Sequence, residues 1–275
     1  MKPEEFMEEY IVSDRFRDLC DLKIETDITQ DILLNLSEGG NMKIFCKTDY
    51  VLDLMTLLGS FKRNKYIVIS MNSDKPIDEN RFSFKPKNVV KWFAQNVDYE
   101  HPDLIPIPIG VERPSGGGIS SDMTVLRDCL IEKPDVTFNG VYMNFNIKNN
   151  TAERESLHER LKSKRWVILD EKVPFKTYLH NASLSKYVLS PPGNGIDCHR
   201  TWEALYLGAV PIVKESILIK SFRQGVPMVT LKNLDLLDDK MFDVLSKAYG
   251  SGSHFIDSPM LKMSYWKKRI EEVEL

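Results

Sequence analysis

The sequence predicts an α/β protein with two Rossmann-like domains, each built on a parallel sheet and facing the other across a cleft. Short apolar strands alternate with helical segments, which is the pattern of βαβ units. The alternation stops at the glycine-rich segment 114–121 and then restarts, as expected for two domains joined by a linker. The strand at 187–190 leads into a glycine-rich loop and a helix, a junction at which α/β proteins bind phosphate groups.

The glycine-rich segment sets the predicted domain boundaries. Residues 1–115 are assigned to the first domain and residues 122–259 to the second. The charged amphipathic helix within residues 260–275 is expected to pack back on the first domain. A chain of 275 residues is long enough for two small domains with separate cores.

The first predicted domain opens with forty residues of mixed polarity, interpreted as helix or loop. Strands are predicted for the segments 42–47, 66–70, 89–95 and 104–110. The segment 66–70 is a continuous β-branched run, which is typical of a buried parallel strand. Residues 50–58 place their apolar side chains on one helical face. Pro106 and Pro108 indicate that the last strand lies at a sheet edge.

The second predicted domain repeats the alternation of strands and helices. Strands are predicted for the segments 141–145, 166–169, 187–190, 210–213 and 226–230. Helices are predicted for the segments 152–162, 174–182 and 198–207. Thr151 is a suitable N-cap for the first of these helices, and Pro174 is suited to open the second.

Composition and charge argue against several classes of protein. The net charge is −3 and no large basic block is present, which disfavours binding driven by nucleic-acid phosphates. The four cysteines are far apart, so neither a zinc cluster nor a disulfide framework is expected. The first ten residues are too acidic for a signal peptide, and no apolar run approaches the roughly eighteen residues of a membrane span. We therefore expect a cytoplasmic protein without a membrane span.

The loop at 190–198 carries a dense set of functional groups. Gly193 and Gly195 permit close backbone approach or a positive φ, although a plain turn explains a Gly-x-Gly pair equally well. A dinucleotide fingerprint needs a third glycine three residues later, where this chain has Cys198. The loop therefore argues against an NAD-linked oxidoreductase.

Titratable residues crowd the start of the helix that follows the loop. Arg200 is unfavourable there against the helix dipole, so we expect an anionic partner, either a phosphate or one of the carboxylates Asp197 and Glu203. Glu203 either accepts the ribose hydroxyls of a nucleotide or pairs with Arg200. His199 either donates to a phosphate or sugar or serves in packing. Asp197 is also a suitable N-cap for the helix.

Residues 190–213 resemble the C-terminal signature of exostosin-like glycosyltransferases, glycosyltransferase family 47. The Gly-Asn-Gly form without a membrane anchor is similar to the short soluble members of large algal DNA viruses, which would place it in a host cytoplasm. Two further stretches resemble the same proteins, namely residues 92–96 with 105–112 and residues 142–146 with Arg154.

The resemblance implies a GT-B fold and an inverting transfer from a UDP-sugar, such as UDP-xylose or a UDP-hexose, without a metal or other cofactor. The acceptor it implies is a hydroxyl of an oligosaccharide or glycoprotein glycan. Arg154 and Arg200 would hold the diphosphate, and Glu203 would bind the ribose. Asn194 and Asp197 would shape the donor loop or contact the sugar. With the loop and helix residues considered above, the candidate donor-binding set is Arg154, Ser190, Gly193, Asn194, Gly195, Asp197, His199, Arg200 and Glu203.

Inverting transfer also needs a base, which we expect from the first domain. The candidates Asp49, Asp74 and Glu112 each follow a predicted strand, where site residues of parallel sheets gather. Asp49 can instead cap the next helix, and Asp74 can form an Asx-turn. His101 is a further candidate, and the sequence does not separate these residues.

A second hypothesis belongs to a different class of function. A non-catalytic nucleotide- or sugar-binding module derived from such an enzyme would keep the donor loop and lose the base. Turnover of a UDP-sugar separates the two hypotheses, because a module binds UDP without transferring a sugar to any acceptor.

Overall fold

The computed structural model describes residues 3–112, 123–132, 136–248 and 257–275. The chain divides into two compact units. The first unit comprises Ile11–Ile109 with Met263–Leu275, and the second comprises Met1–Tyr10 with Gly110–Lys262. Each unit carries one five-stranded parallel sheet. The predicted class, α/β with two parallel-sheet domains, is confirmed.

The described elements follow the predicted alternation. The helices are α1 (Pro3–Glu9), α2 (Ser13–Asp18), α3 (Gln30–Glu38), α4 (Val51–Leu58), α5 (Glu79–Phe82), α6 (Met123–Ile131), α7 (Thr151–Leu161), α8 (Phe175–Leu184), α9 (His199–Tyr206), α10 (Ile217–Phe222), α11 (Asp239–Ala248) and α12 (Met263–Glu271). The strands are β1 (Leu22–Ile24), β2 (Met42–Lys47), β3 (Tyr66–Met71), β4 (Val89–Ala94), β5 (Leu104–Pro106), β6 (Phe138–Met143), β7 (Val167–Leu169), β8 (Ser185–Leu189), β9 (Val210–Lys214) and β10 (Val229–Leu231). No helix in the described ranges is long and apolar enough to cross a membrane.

The sheet of the first unit has the order β1-β2-β3-β4-β5, so its strands follow one another in chain order. β3 is buried at every position, as its β-branched run predicts. β5 is the edge strand that Pro106 indicates. β1 lies at the other edge and was not predicted, because a three-residue strand within the charged segment 21–25 is too short to show a hydrophobic period.

The sheet of the second unit has the order β10-β9-β8-β6-β7. The chain runs outward from β6 to β7 and then returns to place β8 on the other side of β6. This reversal makes the boundary between β6 and β8 a topological switch point, outside which open α/β sheets bind their ligands. β8 is buried along its whole length, so the loop that follows it starts from a rigid strand.

The first ten residues depart from the predicted division of the chain. We assigned residues 1–10 to the first domain, whereas the structure groups them with the second unit. The reason is the packing of α1, which buries Phe6 completely. The Phe6 ring lies edge-on to the ring of Tyr206, with 5.2 Å between the centroids. An aromatic contact so distant along the chain cannot be inferred from sequence periodicity.

The C-terminal segment Met263–Leu275 groups with the first unit. Within it, the fully packed Trp266 lies against Phe16, with 6.5 Å between the ring centroids. The predicted linker 114–121 lies outside the described residues. The units divide between Ile109 and Gly110, so residues 110–112, which we assigned to the first domain, belong to the second unit.

Two predicted helix caps are wrong. Asn150, rather than Thr151, is the N-cap of α7, and its side-chain oxygen accepts from the N–H of Glu153 at 3.3 Å. Asparagine is the stronger N-cap residue of the two. At α9 the N-cap position belongs to Cys198, which makes no side-chain cap. Asp197 precedes that position, and its carboxylate accepts from the indole N–H of Trp202.

Candidate functional site

The glycine loop, residues 190–198, connects β8 to α9 at the switch point of the second sheet. The segment after β6, which contains Asn144, Phe145 and Asn146, lies on the other side of the same boundary. The structure therefore brings together two stretches that lie about fifty residues apart in the sequence. The glycine loop supplied residues to the predicted site, whereas residues 144–146 belong to a stretch that carried the family resemblance.

Arg154 joins these two stretches. Its Nε donates to the carbonyl of Pro192 at 2.9 Å, and its Nη2 donates to that of Pro191 at 3.1 Å. Its Nη1 donates to the carbonyl of Asn146 at 2.7 Å. The side chain is buried, and burial followed by the nearby charge of Arg200 lowers its pKa to about 10. The guanidinium thus links the glycine loop to the segment after β6 by hydrogen bonds.

Gly193 is required by close approach and not by a positive φ. A Cβ at this position would lie 3.1 Å from Nη2 of Arg154, which the loop hydrogen bonds hold in place. Its N–H donates to the carbonyl of Gly195 at 3.1 Å and tightens the turn. Positive φ values among the glycines of the described ranges occur only at Gly110 and Gly208. Asn194 is exposed at the tip of the loop.

Two polar side chains of the loop point into the protein. The hydroxyls of Ser190 and Thr201 are 2.8 Å apart and both are buried. Asp197 accepts from the indole N–H of Trp202 through both carboxylate oxygens, at 2.9 and 3.0 Å, and from the N–H of Cys198 at 2.9 Å. Ser190 and Asp197, two residues of the predicted donor-binding set, therefore stabilise the start of α9. A direct contact of either residue with a UDP-sugar stays a prediction.

Arg200 has an unsatisfied buried nitrogen. Its Nε has no hydrogen-bond partner among the described residues, although it is shielded from solvent. The guanidinium lies over Phe145, 5.8 Å from the ring centroid, and that of Arg154 lies 5.4 Å from the same centroid. Neither arginine forms an ion pair with a carboxylate in the described ranges. Two cations thus share one aromatic ring, and neither has an ion-pair partner among the described residues.

Glu203 is buried beside this cationic pair. Its Oε2 accepts from the Tyr178 hydroxyl at 2.7 Å, and the backbone N–H of Glu112 also hydrogen bonds to its carboxylate. Burial raises the pKa of Glu203, while the phenol, Arg200 and the Glu112 N–H oppose the shift. The sequence suggested two partners for Glu203, a ribose hydroxyl or Arg200. The structure shows a third partner, the hydroxyl of Tyr178.

His199 and Glu112 lie next to Glu203. The carbonyl of Gly110 can only accept, so the imidazole Nδ1, 2.8 Å away, carries the proton and donates to it. Burial raises the pKa of Glu112, which His199 lowers and Glu203 raises further. Glu112 belongs to the second unit, as does the glycine loop. This location differs from the expectation that all base candidates belong to the first domain.

Asp49 and Asp74 lie in the first unit. Asp49 forms ion pairs with Lys47 at 3.2 Å and Lys75 at 3.1 Å, and it accepts from the Ser73 hydroxyl at 3.2 Å. Burial acts to raise its pKa, but these three partners outweigh burial and lower it. A carboxylate stabilised in this way is a weak base. Asp74 is exposed in the loop after β3.

The structure adds a polar cluster that the sequence interpretation missed. The hydroxyl of Tyr142 donates to Asp170 at 2.9 Å, and the amide of Asn181 donates to the same carboxylate oxygen at 2.6 Å. Asn144 donates to the Tyr142 hydroxyl at 3.3 Å. Asp170 directly follows β7. The signal that selected Asp49, a carboxylate just after a predicted strand, therefore also applies to Asp170.

The described part of the chain contains no group of three His, Cys, Asp or Glu side chains arranged to hold a metal ion. The thiol of Cys198 lies against the carbonyl of Pro191, at 3.4 Å, and burial raises its pKa. A raised thiol pKa disfavours the reactive thiolate.

Comparison with known proteins does not assign the chain to a family. No family model and no curated protein matches it. Among solved structures, it is similar to the UDP-GlcNAc 2-epimerase of Methanocaldococcus jannaschii in complex with UDP-GlcNAc and UDP, with 11% identity and a TM-score of 0.42. The match covers 87% of this chain and 77% of the epimerase. A likeness this distant carries no argument about function, which rests on the site itself.

Proposed function

We propose that this protein is an inverting, metal-independent glycosyltransferase that moves a sugar from a UDP-sugar to a hydroxyl of a glycan acceptor. The observation that carries the proposal is the guanidinium of Arg200, with its buried and unbonded Nε, at the switch point of the second sheet. The resemblance of residues 190–213 to exostosin-like transferases supplies the expected reaction class.

The charge around Phe145 favours an anionic ligand. Burying a cation without a counter-ion costs free energy, and placing two cations near one another adds repulsion. A diphosphate at the glycine loop would offset both costs. The N-terminus of α9 adds backbone N–H groups and the positive end of a helix dipole at the same place. A nucleoside diphosphate therefore fits this site better than a neutral ligand.

The structure refines the roles that we propose for the two arginines and for Glu203. Arg200 contacts the diphosphate, while Arg154 acts by holding the loop that presents it, since its donors already bind three carbonyls. Glu203 accepts from Tyr178 and from the N–H of Glu112, which leaves part of the acceptor capacity of its carboxylate for a ribose hydroxyl.

We propose Glu112 as the base. Its raised pKa makes it a better proton acceptor than Asp49, and it lies beside His199 at the start of α9. In the reaction, the acceptor oxygen attacks the anomeric carbon as Glu112 takes its proton. The bond from that carbon to the β-phosphate oxygen breaks, and the electron pair leaves with UDP. Arg200 stabilises the charge on the departing diphosphate.

The test is calorimetric titration of UDP into wild type, Arg200→Ala and Arg200→Lys. We expect alanine to weaken UDP binding about tenfold to a hundredfold, the scale of a lost charged hydrogen bond, and lysine to restore it only in part. Arg165→Ala is the matched control. Arg165 is exposed and lies just before β7, at the amino-terminal ends of the strands, whereas the glycine loop follows the carboxyl end of β8.

The outcomes of the titration and of a transfer assay separate the hypotheses. Unchanged UDP affinity in folded Arg200→Ala would remove Arg200 from the donor site and overturn the proposal. Release of UDP from a panel of UDP-sugars, dependent on an added glycan acceptor, would support a transferase. Tight UDP binding without turnover would instead favour the non-catalytic binding module.

A further inference from the structure

Asp197 and Glu203, the two carboxylates considered as alternatives to a phosphate partner for Arg200, both accept hydrogen bonds from aromatic donors. Asp197 accepts from the indole of Trp202 at 2.9 and 3.0 Å. Glu203 accepts from the phenol of Tyr178 at 2.7 Å. All four of these side chains are buried. Each carboxylate thus has a neutral aromatic donor, and Arg200 forms no ion pair within the described ranges.

The pairing of Glu203 with a tyrosine runs against the local preference of a helix. Glu203 lies three positions after Arg200 on α9, a spacing at which an acid and a base commonly form a salt bridge. In a bond between a guanidinium and a carboxylate both partners are ionised, whereas in the bond from the Tyr178 hydroxyl only the acceptor is. Since no guanidinium–carboxylate bond forms here, another contact has to hold the carboxylate away. The structure provides two contacts to this carboxylate, the backbone N–H of Glu112 and the Tyr178 hydroxyl, and only the second is a side chain that substitution can remove.

We propose that Tyr178 is a positioning residue that holds the carboxylate of Glu203 off the guanidinium of Arg200 and so keeps Arg200 open to a phosphate-bearing anion. The identity of that anion as UDP rests on the proposed function. The positioning effect itself requires only an anion site at Arg200. Without the phenol, the buried carboxylate would lose a hydrogen bond, and the nearby guanidinium is its natural replacement.

The ring of Tyr178 also has a packing role, which the test must separate from the role of its hydroxyl. The ring lies between those of Tyr142 and Phe175, with centroid distances of 6.0 and 5.9 Å. Tyr178→Phe keeps the ring and removes only the hydroxyl. Tyr187→Phe is the matched control, because it removes a buried phenol of the same unit that donates to the backbone carbonyl of Leu245 at 2.6 Å.

The experiment measures the affinity for inorganic pyrophosphate, which has no ribose and no sugar. The proteins compared are wild type, Tyr178→Phe, Glu203→Gln, the Tyr178→Phe/Glu203→Gln double variant and Tyr187→Phe, each checked for folding by thermal unfolding. We expect Tyr178→Phe to weaken pyrophosphate binding about tenfold, since Glu203 then competes for Arg200. Glu203→Gln should bind at least as tightly as wild type, because a neutral amide does not neutralise Arg200.

The double variant decides between positioning and packing. If the hydroxyl acts through the charge of Glu203, adding Glu203→Gln to Tyr178→Phe restores pyrophosphate affinity to the level of Glu203→Gln alone. If the loss reflects damaged packing, the double variant stays weak, and the inference is overturned. An unchanged affinity in folded Tyr178→Phe, or an equal loss in Tyr187→Phe, also overturns it.

Failure of the inference and failure of the proposed function are distinguishable. Pyrophosphate binding that follows the expected pattern, without transfer from any UDP-sugar, supports the positioning role and removes the transferase. Acceptor-dependent transfer with unchanged pyrophosphate binding in Tyr178→Phe supports the transferase and removes the positioning role. A wild-type protein that binds neither pyrophosphate nor UDP overturns both.

Discussion

The carboxyl-terminal edges of the two sheets differ in how far their charged residues are buried and in whether these residues form ion pairs. At the first sheet, Asp49 is partly exposed and paired with Lys47 and Lys75. At the second sheet, Arg154 and Glu203 are buried beside Arg200, and none of the three forms an ion pair within the described ranges. The strands of the first sheet run in chain order, whereas those of the second reverse between β6 and β8.

This difference indicates which edge is built for a ligand. Exposed charges that are paired with one another are stable in water without a further partner. Buried charges without a counter-ion cost free energy, which the protein recovers when an oppositely charged ligand binds. The topology points the same way, because a reversal of strand order opens a crevice at the strand ends. We therefore expect the UDP-sugar to bind at the carboxyl-terminal edge of the second sheet.

The largest expected effect concerns which edge supplies the base. Glu112→Gln should lower the rate of sugar transfer about 100- to 10,000-fold, the contribution of a general base, and leave UDP affinity intact. Asp49→Asn and Asp74→Asn should change the rate little, because the first carboxylate is held by two lysines and the second is exposed. The measurement is acceptor-dependent release of UDP.

A loss of transfer in Asp49→Asn or Asp74→Asn, with normal turnover in Glu112→Gln, would reverse the comparison. The base would then belong to the first unit, as the sequence interpretation expected. Normal turnover in all three variants would place it outside this set.

The next effect concerns the stability of the second edge. Arg154→Ala should lower the free energy of unfolding by about 3 kcal/mol, because the carbonyls of Pro191, Pro192 and Asn146 lose their donor. Lysine should not rescue the loss, since one ammonium cannot match the planar fork. Urea unfolding measures the change, with the exposed Arg165→Ala as control. A loss below about 1 kcal/mol would show that the loop does not depend on this residue.

The smallest effect tests the first edge. The pKa of Asp49 is lowered in the folded protein, so its ion pairs stabilise the fold above the ordinary aspartate pKa, and this contribution is lost as the pH falls through the lower folded value. Asp49→Asn should therefore cost at most about 1 kcal/mol at pH 7 and nothing in acid. Urea unfolding of both proteins across this pH range checks the sign. A difference that grows toward low pH would contradict it.

The sequence was sufficient to predict most of the fold. β2, β3, β4 and the strands of the second sheet show clear apolar patterns, and the prolines near residue 106 correctly marked a sheet edge. β1 lacked such a pattern because it is short and borders charged residues. The placement of residues 1–10 depends on the burial of Phe6 against Tyr206, a contact that no local pattern encodes.

The candidate site was predictable in composition but not in its internal bonds. The loop after β8 and Arg200 of α9 were identified from residue types and a strand end, whereas Arg154 of α7 was identified only through the family resemblance. Asp170 was missed although it also follows a strand, because it stands outside any recognised motif. The partners of Asp197 were also missed, since no sequence pattern indicated that the indole of Trp202 donates to it.

The sequence by itself determined the alternation of strands and helices, the glycine loop and the placement of Arg200 one turn before Glu203. These features are local, and hydrophobic periodicity and residue type are enough to read them. Only the tertiary structure decided which donors the carboxylates take. Tyr178 lies 25 positions from Glu203, and their hydroxyl–carboxylate bond exists because α8 packs beside α9. That packing selects the phenol over the arginine, and so leaves the cation for a ligand.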